Sequence, residues 1–109
     1  MEQLNRVELR GIVGNVRESQ IGNLFLVTMA VATNYAYKAK DGSAVIDTTW
    51  HSVEKFFDSP QGFNRGDRVE VVGRLKNQRY MHDDGTMASI TYVVASSIKK
   101  LDEELTAEV

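Results

Sequence analysis

Trp50 is the only tryptophan of a 109-residue chain, and it stands in Asp-Thr-Thr-Trp-His-Ser-Val-Glu-Lys-Phe, residues 47–56, where most neighbours are polar or charged. Side chains alternate along extended backbone. Read as a strand, this run sends Ile46, Thr48, Trp50, Ser52, Glu54 and Phe56 one way and Val45, Asp47, Thr49, His51 and Val53 the other. Thr48, Ser52 and Glu54 are poor core residues, so the indole and the Phe56 ring are expected on a wet surface. Arg74, Lys76, Gln78 and Tyr80 share one phase of another alternating run, and Tyr35, Tyr37, Lys38 and Lys40 cluster just ahead of the first. Flat rings among cations on an exposed sheet suit single-stranded nucleic acid: every base has a π-face to stack, and Lys and Arg neutralise phosphates. Stacking contributes on the order of 1–3 kcal/mol per base with little regard to its identity, so sequence-tolerant binding is expected. The competing reading is that Trp50 and Phe56 pack against each other or against a second subunit.

Catalytic and metal-binding chemistry finds few residues to work with. There is no cysteine, which removes disulfides, thiolate metal sites and cysteine nucleophiles together. His51 and His82 are the only histidines; His82 adjoins Asp83 and Asp84, but Asp-Asp-Gly is hairpin-turn chemistry, and two carboxylates with one imidazole in a loop do not close a ligand set. Gly-Ile-Val-Gly at 11–14 is too short and too strand-like to cradle a phosphate. No catalytic residue, metal site or cofactor is expected, and the protein is read as a binding module rather than an enzyme.

The elements that must carry these side chains are strands. Val7, Leu9, Gly11 and Val13 alternate with Glu8, Arg10, Ile12 and Gly14. Leu-Phe-Leu-Val-Thr-Met-Ala-Val-Ala-Thr at 24–33 is apolar in both phases and is expected to be covered on both faces. Residues 67–76 alternate again, and 86–99 supply a fifth strand rich in β-branched residues. Asp-Gly at 41–42 and at 84–85 predicts tight turns, hence a long hairpin from strands two and three and another from strands four and five. Arg-Glu-Ser-Gln-Ile-Gly-Asn, 17–23, reads as a short first connection. The link Phe-Phe-Asp-Ser-Pro-Gln-Gly-Phe-Asn-Arg-Gly, 56–66, holds the sole proline and leaves room for one short helix before the fourth strand. The predicted fold is all-β: a five-stranded barrel of the OB type, with an SH3-like barrel or an open sandwich as rivals on strand count alone.

Composition bounds the rest. A chain of this length with 42% hydrophobic residues fits one domain. A net charge of −2 argues against a polyanionic partner until its distribution is considered. Four of the 15 acidic residues and no Lys or Arg lie in 102–109, Asp-Glu-Glu-Leu-Thr-Ala-Glu-Val, leaving 13 basic against 11 acidic in 1–101. A mildly basic body, 1–101, followed by a short acidic tail, 102–109, is the expected division. No basic segment followed by an apolar stretch opens the chain and no run approaches a membrane span, so a cytoplasmic location is expected.

Asn-Arg-Val-Glu-Leu-Arg-Gly-Ile-Val-Gly, Phe-Leu-Val-Thr-Met-Ala-Val-Ala-Thr, Thr-Thr-Trp-His-Ser-Val-Glu-Lys-Phe, Arg-Gly-Asp-Arg-Val-Glu-Val-Val-Gly-Arg-Leu and Ser-Ile-Thr-Tyr-Val-Val-Ala-Ser-Ser-Ile-Lys-Lys-Leu follow one another from about Asn5 to Leu101. In that order they resemble the bacterial single-stranded DNA-binding proteins (SSB). The resemblance implies an OB fold, assembly as a homotetramer, and binding of single-stranded DNA in replication, recombination and repair, near the nucleoid and alongside other replication or repair proteins. It places stacking rings at Tyr37, Trp50, Phe56 and Tyr80, puts Arg6, Lys76 and Arg79 along the DNA path with Lys38 as an addition, and assigns His51 to a subunit contact. The chain departs from the family in having Asn15-Val16-Arg17 after Gly14, a shortened link before strand four, and an acidic end with neither a Gly/Pro/Gln-rich linker nor an aromatic tip. A primosomal-type OB adaptor, dimeric and bound to both single strands and replication proteins, is the alternative.

Overall fold

In the computed structural model, residues 1–101 are described. Five strands form a closed barrel: β1 (Val7–Ile21), β2 (Leu24–Lys38), β3 (Ala44–Phe57), β4 (Arg68–Met81) and β5 (Met87–Lys100), in the order β1-β2-β3-β5-β4. Neighbours are antiparallel except β3 and β5, which meet in parallel at Val53↔Val93 and Glu54↔Val94. That short parallel seam closes the barrel, while β1 pairs with β4 from Val7↔Gly73 to Ile12↔Arg68 on the far side. Where β1 no longer flanks β4, the Asn5 side chain takes over as a strand backbone would: its Nδ2 donates to the Leu75 carbonyl and its Oδ1 accepts from the Leu75 N–H.

The core is small and aliphatic. Val13, Val27, Met29, Val31, Val53, Val69, Val71, Val93, Ala95 and Ile98 are buried, with Phe57 and Phe63 packed at the margin. These are the inward phases of all five strands, rich in the β-branched residues that suit a pleated, buried surface. No aromatic ring belongs to this buried set; Tyr35, Tyr37, Trp50, Phe56 and Tyr80 are all exposed.

The structure corrects the sequence reading in three places. The short helix expected between strands three and four is absent: residues 58–67 run as bends and turns across the barrel end. Pro60 lacks an amide hydrogen, Gly62 and Gly66 sit at φ of 69° and 93°, and the segment's polar backbone is tied outward instead of into helical turns. The Gln61 N–H donates to the Glu18 carboxylate and the Gly66 N–H to the Val13 carbonyl. Second, 17–23 is mostly strand; β1 continues to Ile21, pairs with Leu24 across Gly22-Asn23, and so forms a two-residue hairpin whose polar residues project beyond the barrel. Third, β2 is covered on one face only: Val27, Met29 and Val31 are buried, whereas Leu26, Thr28, Ala30 and Ala32 are half-buried and Leu24 is exposed. The long β2–β3 hairpin is as expected, paired from Phe25↔Phe57 to Lys38↔Ala44. The acidic stretch 102–109 lies outside the described residues.

Candidate nucleic-acid interface

Directly opposite residues of a ladder share a face. Trp50 is opposite Ala32, which is opposite Ile12 on β1, and Phe56 is opposite Leu26. Both rings therefore lie on the outer surface, 60% and 47% exposed, while His51 and Val53 turn inward beside buried Val31 and Met29. The half-buried His51 imidazole shares a 2.9 Å hydrogen bond with the Thr33 hydroxyl, a structural contact beneath the strand that carries Trp50. The alternation read from the sequence is thus the alternation observed.

Between Trp50 and Phe56 the outer phase of β3 presents Ser52 and Glu54, and here the surface is concave. A groove of about 670 Å³ is lined by Arg17 of β1, Thr28 of β2, Ser52 and Glu54 of β3, Gln78 of β4 and Tyr92 of β5, among others. The β1–β2 hairpin forms one wall and the β4–β5 hairpin the other. Arg17, Thr28 and Glu54 are consecutive opposites across three strands, so a guanidinium and a carboxylate stand two strand spacings apart in the same row, with no ion pair between them. Lys76 is opposite Tyr92, at the edge of the groove, and Tyr80 follows in the same phase as Lys76 and Gln78.

The eight expected site residues are not all brought together. Trp50, Phe56, Lys76 and Tyr80 occupy the outer phases that flank the groove. Lys38 shares the Trp50 phase, at the far end of the β2–β3 hairpin opposite Ala44. Tyr37 falls in the opposite phase, that of buried Val31, on a hairpin arm that has left the barrel; it stacks on Tyr35 at a centroid distance of 6.1 Å. Arg79 likewise lies in the phase opposite Tyr80, across from Ser89. Arg6 precedes β1 and pairs with Glu8 at 3.5 Å. Among the described residues, Arg17, Lys38, Lys76 and Arg79 have no carboxylate partner, whereas Arg10 is held by Glu70 at 2.8 Å.

Sequence reasoning missed Arg17, Gln78 and Tyr92 as groove residues. Arg17 was hidden in the supposed connection; Gly-Asn between two extended runs is itself a hairpin signal and would have extended β1 to include it. Gln78 was visible by phase, but nothing in the sequence shows that the β4–β5 hairpin leans toward β3. No group of three or more potential metal ligands occurs among the described residues.

A closed five-stranded barrel whose outer face carries exposed rings around a groove bounded by two hairpins is the architecture of an OB-fold binding module. The chain belongs to the Single-strand binding protein family, whose model matches residues 4–101. It is 28% identical over 106 residues to a single-stranded DNA-binding protein of Xylella fastidiosa, covering 90% of this chain and 63% of that one, so it spans under two thirds of that relative's length. It is 27% identical to a mitochondrial single-stranded DNA-binding protein of Oryctolagus cuniculus, over 93% of this chain and 77% of that one. The solved Plasmodium falciparum SSB in complex with ssDNA shares the fold with a TM-score of 0.74 at 22% identity, covering 94% of this chain and 98% of that one.

Proposed function

We propose that the protein binds single-stranded DNA without catalysis and with little sequence preference, in replication, recombination and repair. The observation that carries this reading is the Trp50–Phe56 face: two large rings kept out of an otherwise aliphatic core, flanking a groove edged by Arg17 and Lys76, which have no carboxylate partner among the described residues. A ring exposed at such cost in apolar surface has a use on that surface, and stacking on bases is what an exposed indole does well. The family membership and the relatives' single-stranded DNA-binding role support the same conclusion. Tyr80 and Lys76 extend the path along the β4–β5 hairpin; Tyr37, Lys38, Arg79 and Arg6 lie farther out and serve a strand long enough to leave the groove.

Assembly as a homotetramer is part of the same proposal, and apolar side chains on the outer surface support self-association. Ile21 and Leu24, directly opposite each other at the end of the β1–β2 hairpin, are exposed next to half-buried Leu26, apolar surface that a second copy would cover. The acidic 102–109 segment is proposed as an appended tail, and other replication or repair proteins in the cytoplasm as partners.

Titration of Trp50 fluorescence with oligothymidylates of graded length tests the function. Quenching that saturates, with log K falling against log salt by about 0.7 per phosphate neutralised, is the expected result. Tighter binding to duplex than to single strand, or a flat salt response, overturns it. Sedimentation equilibrium tests assembly, a monomer of 12.2 kDa being the refuting mass and a dimer favouring the adaptor reading.

A further inference from the structure

Three glycines of the sheet have no room for a side chain, and they are short of room for different reasons. A Cβ on Gly11 would strike the backbone carbonyl of Ala32, and one on Gly73 that of Val94, so both are requirements of strand packing. Gly14 differs. The three atoms nearest to a Cβ there all belong to the indole of Trp50, with Cζ3 at 2.6 Å and Cη2 at 2.9 Å. These atoms belong to the six-membered ring, the end of the side chain farthest from the Trp50 backbone. Gly14 is buried and its φ is not positive, so its lack of a side chain answers to the indole and not to backbone conformation.

The local backbone is shaped to the same end. The β1–β2 register slips between Val13 and Val16, a bulge that places Gly14 and Asn15 against one β2 residue. The residue directly opposite Trp50 is Ala32, again small. The indole therefore lies over Gly14 and Ala32 with its six-membered ring against β1, yet keeps 60% of its surface exposed.

We propose that Gly14 and its bulge form a seat that holds the Trp50 indole in a fixed orientation before any strand arrives, making Gly14 a positioning residue for base stacking. The proposal rests on the single-stranded DNA-binding reading above. A ring already ordered loses less rotamer freedom on binding than one that swings, so the seat raises affinity without adding a contact to DNA. Because the obstacle to a methyl group at position 14 is the far end of a side chain and not backbone, Gly14→Ala is accommodated by turning the indole, and the barrel survives.

Since the chain holds one tryptophan, its fluorescence reports Trp50 alone. The test compares the wild type, Gly14→Ala, Trp50→Ala and the double variant, each titrated into a fluorescently labelled oligothymidylate and followed by the label's anisotropy. Gly14→Ala is expected to keep a near-wild-type unfolding midpoint, shift the Trp50 emission, and lose roughly tenfold in affinity as stacking on a tilted ring weakens. In the Trp50→Ala background the same substitution should cost nothing more. Wild-type affinity in Gly14→Ala, or an equal loss when Trp50 is already gone, overturns the proposal. Should Gly14→Ala fail to fold, the wild type decides: time-resolved anisotropy of Trp50 without a fast local wobble supports the seat, and a freely wobbling indole sinks it. A wild type that binds no oligonucleotide defeats the functional reading instead, a result distinct from either.

Discussion

The β2–β3 and β4–β5 hairpins are built to one plan but hang on the barrel in opposite phase. In the first, the Ala39 N–H donates to the Ser43 carbonyl and the Gly42 N–H to Ala39; in the second, His82 donates to Thr86 and Gly85 to His82. Asp41 accepts from the Ser43 N–H and hydroxyl, as Asp84 does from those of Thr86. Each arm has one cross-strand rung of the same type, Thr48 to Asn34 and Thr91 to Asn77, both separated by 14 residues. Tyr37 and Tyr80 occupy equivalent positions ahead of the turn glycines. Yet Asn34 shares the outer phase of Ala32 and Trp50, while Asn77 shares that of Leu75, which faces buried Val93. Tyr80 consequently projects with Lys76 and Gln78 toward the groove, and Tyr37 projects away from the Trp50 face. A turn is local chemistry, but the face a side chain takes is set by register at the root of the hairpin, where one residue of slip reverses every position.

The largest expected effect is at the root of the first hairpin. Trp50→Ala should weaken single-stranded DNA binding by about 1–3 kcal/mol with little change in the denaturation midpoint. A core tryptophan would show the reverse, a folding loss of about 3–5 kcal/mol, so the two titrations run on one variant decide whether this phase is the outer one. Next come the equivalent tyrosines. Tyr80→Ala should lose about 1 kcal/mol of affinity, near the low end for one stacked base, and Tyr37→Ala distinctly less. Equal losses would mean that position along the hairpin, and not phase relative to the barrel, governs contact with the strand.

The shared rungs should respond alike. Asn34→Ala and Asn77→Ala each remove one exposed cross-strand hydrogen bond and should each cost about 0.5 kcal/mol of stability in chemical denaturation. A large difference between them would show that the two plans are equivalent only in outline. The smallest effect concerns pH. Both Asp41 and Asp84 are held below the ordinary aspartate value of 3.8, first by the hydroxyl of Ser43 or Thr86 and then by that residue's N–H. A depressed folded-state pKa stabilises the turn fully above 3.8, and the contribution fades as pH falls through the lower folded value. Amide exchange at Ser43 and Thr86, corrected for its intrinsic rate, should accelerate together on acidification, and Asp84→Asn should abolish the transition in the second turn alone.

The strands, their number, the alternation that exposes Trp50 and Phe56, and both Asp-Gly turns were legible in the sequence because each depends on neighbours one to five residues apart. Period-2 patterning reports which side of a strand is wet, and Asp-Gly-Ser and Asp-Gly-Thr carry their own turn bonds. The short helix expected in the 56–66 link failed because the link's bonding partners, Glu18 and Val13, are remote in sequence, and capturing its amides was a tertiary event. The polar end of β1 was illegible for a related reason: Arg17, Glu18, Ser19 and Gln20 are themselves exposed and carry no apolar repeat, so only their pairing with Thr28, Val27, Leu26 and Phe25 of β2 makes them strand. Only closure of the barrel decided that Arg17, Glu54, Gln78 and Tyr92, from four different strands, line one groove. The pairing of β1 with β2 and of β2 with β3, together with the bulge, laid the Trp50 ring on Gly14, which in the sequence is merely one more glycine in a strand. Local alternation fixes which way a side chain points, but what it meets there depends on strands brought together from the whole length of the chain.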